Sequence, residues 1–351
     1  MNLLRRDLFG LNAEEMAEVL TPLHVPAYRA RQICAWLYQK HVQSFAAMTN
    51  LPQVLRMKLD ANYTLTSAQE IDRLDSEDQS THKFLLQLAD GASIETVLMR
   101  HPYGNSVCVS TQVGCAMGCA FCASTLHGKV RDLTAAEMLL QVAHAARFLQ
   151  TEGTEVSHVV LMGAGEPLLN YAEVLKFLHR LHAPLFYGIS YRHMTLSTSG
   201  IVPQIKQLAQ EDLPITLAIS LHAADNALRS QLMPINRQYP LTEVLQAAKD
   251  YATVTGRRVT YEYILIAGLN DRREDADALA SLLKGSLANV NVIPINPVAE
   301  RGWQRPSPQR IQAFLMRLQK GHIHATARHE MGTDIQAACG QLRARHFSER
   351  P

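Results

Sequence analysis

The chain has 351 residues, 47% of them apolar, with 34 Lys and Arg against 32 Asp and Glu and a formal net charge of +2. The apolar share suffices for two domains or for one large α/β unit with an appendage, and the charge does not announce a nucleic-acid binder. No apolar run approaches a membrane span, Met1–Gly10 lacks the basic-then-apolar order of a signal peptide, and six cysteines are too sparse and clustered for a disulfide scaffold, so a cytoplasmic protein with no membrane partner is expected.

Residues 1–100 read as a separate accessory piece. Helical spacing covers Asn12 to Leu20 and Tyr28 to Gln39, with Pro22 and Pro26 between them. His82 to Leu88 and Ser93 to Met99 then alternate as a β-hairpin around Asp90-Gly91. From about residue 105 short apolar runs alternate with helical stretches. Strands are predicted at Val107–Val113, His158–Met162, Met194–Thr198, Ile215–His222, Val259–Ile266 and Val290–Ile295. Helices are predicted at Thr134–Gln150, Tyr171–His182, Val202–Gln210, Thr242–Thr255, Glu274–Leu283 and Pro308–Lys320, with a Thr134/Glu137 capping box opening the first. This alternation predicts an α/β fold, a partial (βα)6 barrel over residues 101–323. Residues 324–351 form a tail that carries Cys339 and has no evident partner in the repeat.

Cys115, Cys119 and Cys122 stand in the string VGCAMGCAFCAS, a C-x3-C-x2-C spacing just after the first predicted barrel strand. Three thiolates can hold three irons of a [4Fe–4S] cluster and leave the fourth open to a small molecule. With Cys108 as a fourth ligand, the same cysteines can instead form a four-thiolate zinc site. The spacing, with Phe121 before the last cysteine, resembles the signature of the radical S-adenosylmethionine (SAM) enzymes. In that superfamily the open iron binds SAM, and an electron from the cluster cleaves it to a 5′-deoxyadenosyl radical. The other strand ends carry Gly163 to Glu166, Ser197 to Gly200, Ser220 to His222, and Asn296-Pro297. Each is by itself an ordinary turn. Together they put hydroxyls, an imidazole and an amide on one rim, a set able to bind the ribose, adenine and carboxylate of SAM.

VCVSTQVGCAMGCAFCAS, LMGAGEPLLNY, TLSTSG, AISLHA, IPINPV and GTDIQAACGQLR occur in this order. The set resembles the radical SAM adenosine-C2 methyltransferases of the RlmN type, over nearly the whole chain. The resemblance implies that Cys115, Cys119 and Cys122 ligate the cluster. It implies that Gly165, Glu166, Ser197, Ser220, Leu221, His222 and Asn296 contact SAM. Cys339 matches the cysteine that is itself methylated, Cys108 its resolving partner, and Glu95 a proton acceptor; without the resemblance Glu95 reads as a surface carboxylate on a hairpin. Ala164 departs from the Met or Ile frequent in the family. The implied substrates are 23S rRNA (adenosine 2503) and tRNA (adenosine 37), with two SAM molecules consumed per methylation and a transient protein–RNA crosslink. A flavodoxin or ferredoxin is the implied electron donor, and a monomer is expected. The related Cfr-type enzymes methylate C8 of the same rRNA adenosine, so C8 remains open, as does a non-catalytic zinc-bound RNA-binding protein.

Overall fold

A computed structural model describes residues 5–296 and 302–328, with 331, 334 and 335. The expectations for Pro297, Cys339, Arg343 and Arg345 fall outside these residues. The chain begins with β1 (Arg6–Asp7), α1 (Ala13–Leu20), α2 (Tyr28–Tyr38), α3 (Gln53–Asn62) and β2 (Tyr63–Thr64), and β1 pairs with β2 in parallel. Asn12 caps α1 through a reciprocal bond with Glu15, satisfying amides that the first helical turn leaves open. α1 buries Met16, Val19 and Leu20 against Ile33, Cys34 and Leu37 of α2.

Next come β3 (Ala68–Asp75), β4 (Thr81–Leu88), β5 (Ser93–His101), β6 (Gly104–Cys108), β7 (Gln112–Gly114), β8 (Lys129–Asp132), α4 (Ala135–Gln150), β9 (Val156–Leu161), α5 (Tyr171–His182), β10 (Met194–Thr198) and α6 (Val202–Leu208). The remainder is β11 (Thr216–Ser220), α7 (Asn226–Leu232), α8 (Leu241–Thr255), β12 (Val259–Leu265), α9 (Arg273–Leu283), β13 (Ala288–Pro294), α10 (Pro308–Lys320) and β14 (Ala325–Ala327). One ten-stranded sheet runs β14-β13-β12-β11-β10-β9-β6-β5-β4-β3. From β6 through β14 each neighbouring pair is parallel, while β3 to β6 pair antiparallel. The open strand order agrees with a partial barrel.

Three features differ from the sequence expectations. The first predicted strand divides into β6 and β7, with residues 109–111 between them. The hairpin assigned to the accessory piece is continuous with the core sheet through the β5–β6 pairing. The start of the tail supplies β14, which pairs with β13.

Alternation along the parallel strands divides the sheet into two faces. Val159 and Leu161 on β9, and Met194 and Leu196 on β10, are fully or almost fully buried in the core with Leu139, Val142, Phe177 and Leu178. Each such side chain stabilises the fold by ~1.5–3 kcal/mol. The opposite face carries polar groups. Among the described residues no helix is long and apolar enough to cross a membrane.

Candidate active site

The cysteine loop joins β7 to β8 and is pinned from several sides. The Cys115 amide donates to Gly128 O (3.1 Å), Cys122 to Cys119 O (3.1 Å), and Ala120 to Leu232 O on α7 (2.9 Å). Thr125 Oγ1 donates to the carbonyls of both Cys119 and Cys122. Left-handed turns at Gly114 and Gly118 bend the loop without a Cβ clash. Cys115 and Cys119 are buried and Cys122 is half-buried.

Burial raises the Cys119 thiol well above its ordinary pKa, and the nearby Cys122 and Cys115 push it further. Burial also raises Cys115, opposed by the Met117 and Gly165 amides that face its sulfur. Cys119 and Cys122 lie in an apolar cluster with Leu232, Met233, Ile264, Ile266 and Ile295. Among the described residues, no group of three or more His, Cys, Asp or Glu is gathered as for one metal ion. A cluster whose separate irons each take one thiolate fits this loop.

The GAGEP loop after β9 lies against residues 110–112. Thr111 and Gln112 amides both donate to Ala164 O, Ala164 N donates to Ser110 Oγ, and Glu166 N donates to Gln112 Oε1. These are backbone contacts at Ala164, so the departure from Met or Ile leaves them intact. At Gly165 (φ +110°) an added Cβ would sit 2.7 Å from Gln112 Cβ. The Glu166 side chain turns inward: it accepts from Leu168 N (3.0 Å) and from Ser199 N (2.6 Å). Burial raises its pKa against those bonds. Its carboxylate thus ties the β9 loop to the end of β10.

His222 is buried, with φ +61°. Its Nδ1 accepts from the Ile264 amide (3.0 Å), which leaves the proton on Nε2. Burial, with Arg229 second, lowers its pKa to about 3, so the ring is neutral at physiological pH. The Phe121 ring meets it edge-on at 4.7 Å. The Leu221 side chain is fully buried, and its amide donates to Glu262 O (3.0 Å). Asn296 is exposed just past β13.

The sheet register connects the remaining residues. Val97 pairs with Cys108, Cys108 with Val160, Val160 with Thr195, Ser197 with Ala218, and Ser220 with Glu262. Directly paired residues, and those two apart along a strand, share a face. Glu95, Cys108, Ser197, Ser220 and Glu262 therefore lie on one face. Both Glu95 and Cys108 are buried. The Glu95 carbonyl accepts from Ser110 Oγ (2.7 Å) and the Cys108 carbonyl from Thr96 Oγ1 (2.8 Å). Glu95 is consequently not the surface carboxylate that its hairpin context alone suggests.

Sequence reasoning missed three buried polar side chains in this region. Lys83, 1% exposed, pairs with Val97 and so shares the Glu95 face. Glu262 accepts from Asn291 Nδ2 (2.9 Å), and burial raises its pKa. The third is Arg229 on α7. A charge inside the apolar run VTYEYIL was the available signal for Glu262; α7 reads as an ordinary surface helix.

Parallel strands whose C-terminal ends meet a three-cysteine loop define a radical SAM enzyme. The radical SAM superfamily model matches residues 109–280, and the ribosomal RNA large subunit methyltransferase N-terminal domain matches residues 6–65. A protein of Symbiobacterium thermophilum, described as a probable dual-specificity RNA methyltransferase RlmN, is 54% identical over 97% of this chain and 92% of its own length. A Clostridium perfringens protein of the same description is 45% identical over 98% of this chain and 99% of its own. The crystal structure of a radical SAM methyltransferase from Sphaerobacter thermophilus superposes with a TM-score of 0.93 at 45% identity, covering 97% of this chain and 99% of that one. The chain belongs to the RlmN family of radical SAM RNA methyltransferases. Membership implies a [4Fe–4S] cluster and SAM, and replaces the zinc alternative.

Proposed function

We propose that the protein methylates C2 of an adenosine in 23S rRNA, adenosine 2503 in the family, and adenosine 37 in tRNA. The observation that carries this reading is the shared face: Glu95 and Cys108 lie on the same side of one sheet as Ser197 and Ser220, with the cysteine loop at the strand ends. Cys115, Cys119 and Cys122 hold the cluster, and Gly165, Glu166, Ser197, Ser220, Leu221, His222 and Asn296 surround SAM. The Glu166 side chain acts by holding the loop, and the backbone of that half-buried loop meets the ligand.

C2 of adenine is electron-poor and is no nucleophile, so a simple displacement on SAM does not methylate it. Cys339 as thiolate takes the methyl group first, by displacement. A cluster held by Cys115, Cys119 and Cys122, with a second SAM, would supply the radical chemistry by which this methyl carbon joins C2. Glu95 or Cys108 then removes the C2 proton. The Cys108 thiolate attacks the Cys339 sulfur; the bond from that sulfur to the base-bound methylene breaks, a disulfide forms, and the methylene carbon keeps the electron pair and takes a proton to become the methyl group. A cellular thiol reductant restores both cysteines. A flavodoxin or ferredoxin would feed the cluster its electron, and the protein works as a cytoplasmic monomer.

Residues 1–100 serve as the accessory RNA-contacting piece, 101–323 as the core and 324–351 as the tail that brings Cys339. Arg29 and Arg31, with Arg343 and Arg345, contact phosphates. Neutralising either pair is expected to weaken RNA binding and flatten its salt dependence.

Nucleoside mass spectrometry tests the function. Reconstituted protein, SAM, a reductant and unmodified 23S rRNA fragment or tRNA should yield 2-methyladenosine that disappears in Cys339→Ala. Cys108→Ala should accumulate covalent RNA adduct. 8-Methyladenosine would move the protein to the Cfr-type reaction. No methylated adenosine from protein with an intact cluster would overturn the substrate assignment.

A further inference from the structure

Arg229 is completely buried, with 0% exposure, and among the described residues no carboxylate forms an ion pair with it. A buried cation without an anionic partner carries an uncompensated desolvation penalty. Hydrogen bonds offset part of this. Nε donates to Leu221 O (3.2 Å); Nη1 donates to Asn236 Oδ1 (2.9 Å) and Tyr239 O (3.5 Å); Nη2 donates to Ser199 O (2.7 Å) and Ser220 O (3.2 Å). Every acceptor is neutral. An arginine guanidinium keeps its charge at neutral pH even when buried.

Its position connects the parts of the site. Ser199 O takes Arg229, while Ser199 N takes the Glu166 carboxylate and Ser199 Oγ donates to Met117 Sδ in the cysteine loop (3.4 Å). Leu232 O, at the end of the same helix, receives the Ala120 amide of that loop. One side chain thus joins the ends of β10 and β11 to the helix against which the cysteines rest. What this site lacks is negative charge. A cluster held by three thiolates supplies it, and reduction adds more.

We propose that Arg229 is a positioning residue for the cluster: its guanidinium locks the ends of β10 and β11 onto α7 and supplies a fixed positive charge that eases one-electron reduction. The inference rests on the radical SAM reading of the cysteine loop. Net charge and neighbouring dipoles are among the main settings of an iron–sulfur potential. Lysine keeps the charge but cannot serve five acceptors through a planar fork. The two roles are therefore separable.

The test is an EPR-monitored redox titration of anaerobically reconstituted holoprotein, with iron and sulfide assayed on every sample. In Arg229→Gln, the ratio of reduced to oxidised cluster at a fixed ambient potential should fall about tenfold, equivalent to a midpoint lower by about 59 mV for one electron. In Arg229→Lys, the ratio should change less than about threefold, while SAM binding by calorimetry weakens about tenfold, because charge and geometry part company. Asn236→Asp sets a carboxylate against Nη1 with the guanidinium retained, and should also lower the potential; it serves if Arg229→Gln does not fold. An unchanged potential in a folded, cluster-loaded Gln or Asp variant overturns the electrostatic role. A Lys variant shifted as far as Gln also overturns it. Wild-type protein without iron and sulfide would instead overturn the reading of the loop.

Discussion

At Gly165 the backbone is left-handed and a Cβ would enter the space of Gln112. Both the conformation and the contact oppose any side chain, at a cost of about 1–3 kcal/mol for the backbone alone. Gly165→Ala is expected to weaken SAM affinity and lower the melting temperature, and calorimetry on the same protein reads both; an alanine variant with wild-type affinity would show that the loop can yield. A second residue-scale prediction concerns His41, which sits at φ +53° with its Nδ1 buried and unpartnered. Burial, with the Arg147 charge second, lowers its pKa from 6.5 to about 4. The folded pKa is the lower one, so the unfolded chain binds the proton first and stability is lost as pH falls from about 6.5 toward 4. His41→Asn, which tolerates the left-handed backbone, should flatten that part of the stability profile. A profile equally steep in the variant would assign the acid loss to other groups. Cys115, Cys119 and Cys122 were legible in sequence because their spacing is itself the signal. Arg229 was not, since only the fold reveals that NALRSQL points its arginine inward.

Among the elements, α4 shows how much local sequence can specify. Thr134 and Glu137 form the expected capping box, and Glu137 also receives Arg131. Thr134→Ala should cost about 1 kcal/mol, and a melting temperature lower by about 1–2 °C is the readout for a chain of this size. No shift would mean that Arg131 and Glu137 hold the helix start alone. Helices with a full apolar stripe, such as α5 and α10, appear at their predicted bounds. α3 buries only Leu59 and so lacks that stripe. β3 was hidden for a related reason: it is an edge strand, half-solvated, and AQEIDRLD has too few apolar residues to announce it. β14 is three residues long and borrows its pairing from β13, which no local pattern records.

In the whole molecule the N-terminal helices share one apolar core with the α/β unit. Gly10 packs so closely that an added Cβ would lie 2.8 Å from Ala136 Cβ on α4. Tyr38 of α2 stacks on Phe186 at 4.0 Å, and Arg180 of α5 donates to both Glu15 oxygens on α1. Arg180 is buried while Glu15 is half-exposed, so Arg180→Met should cost about 1–3 kcal/mol, between the limits for exposed and buried pairs. Hydrogen exchange should then quicken in α1 and α2 more than in the core strands; equal quickening throughout would mean that the pair does not fasten the two parts. The pattern changes at about residue 105, and hydrogen bonding from β5 to β6 joins the two sides, because pairing depends on alternation that both sides share. That continuity limits how the gene can change in length. The turns around residues 89–92 and 102–103 can accept an insertion, since strand pairing on either side survives it. One codon added inside β5 or β6 would rotate the following side chains to the opposite face and part Glu95 from Cys108. Length variation between these two residues in related genes should therefore collect in the turn.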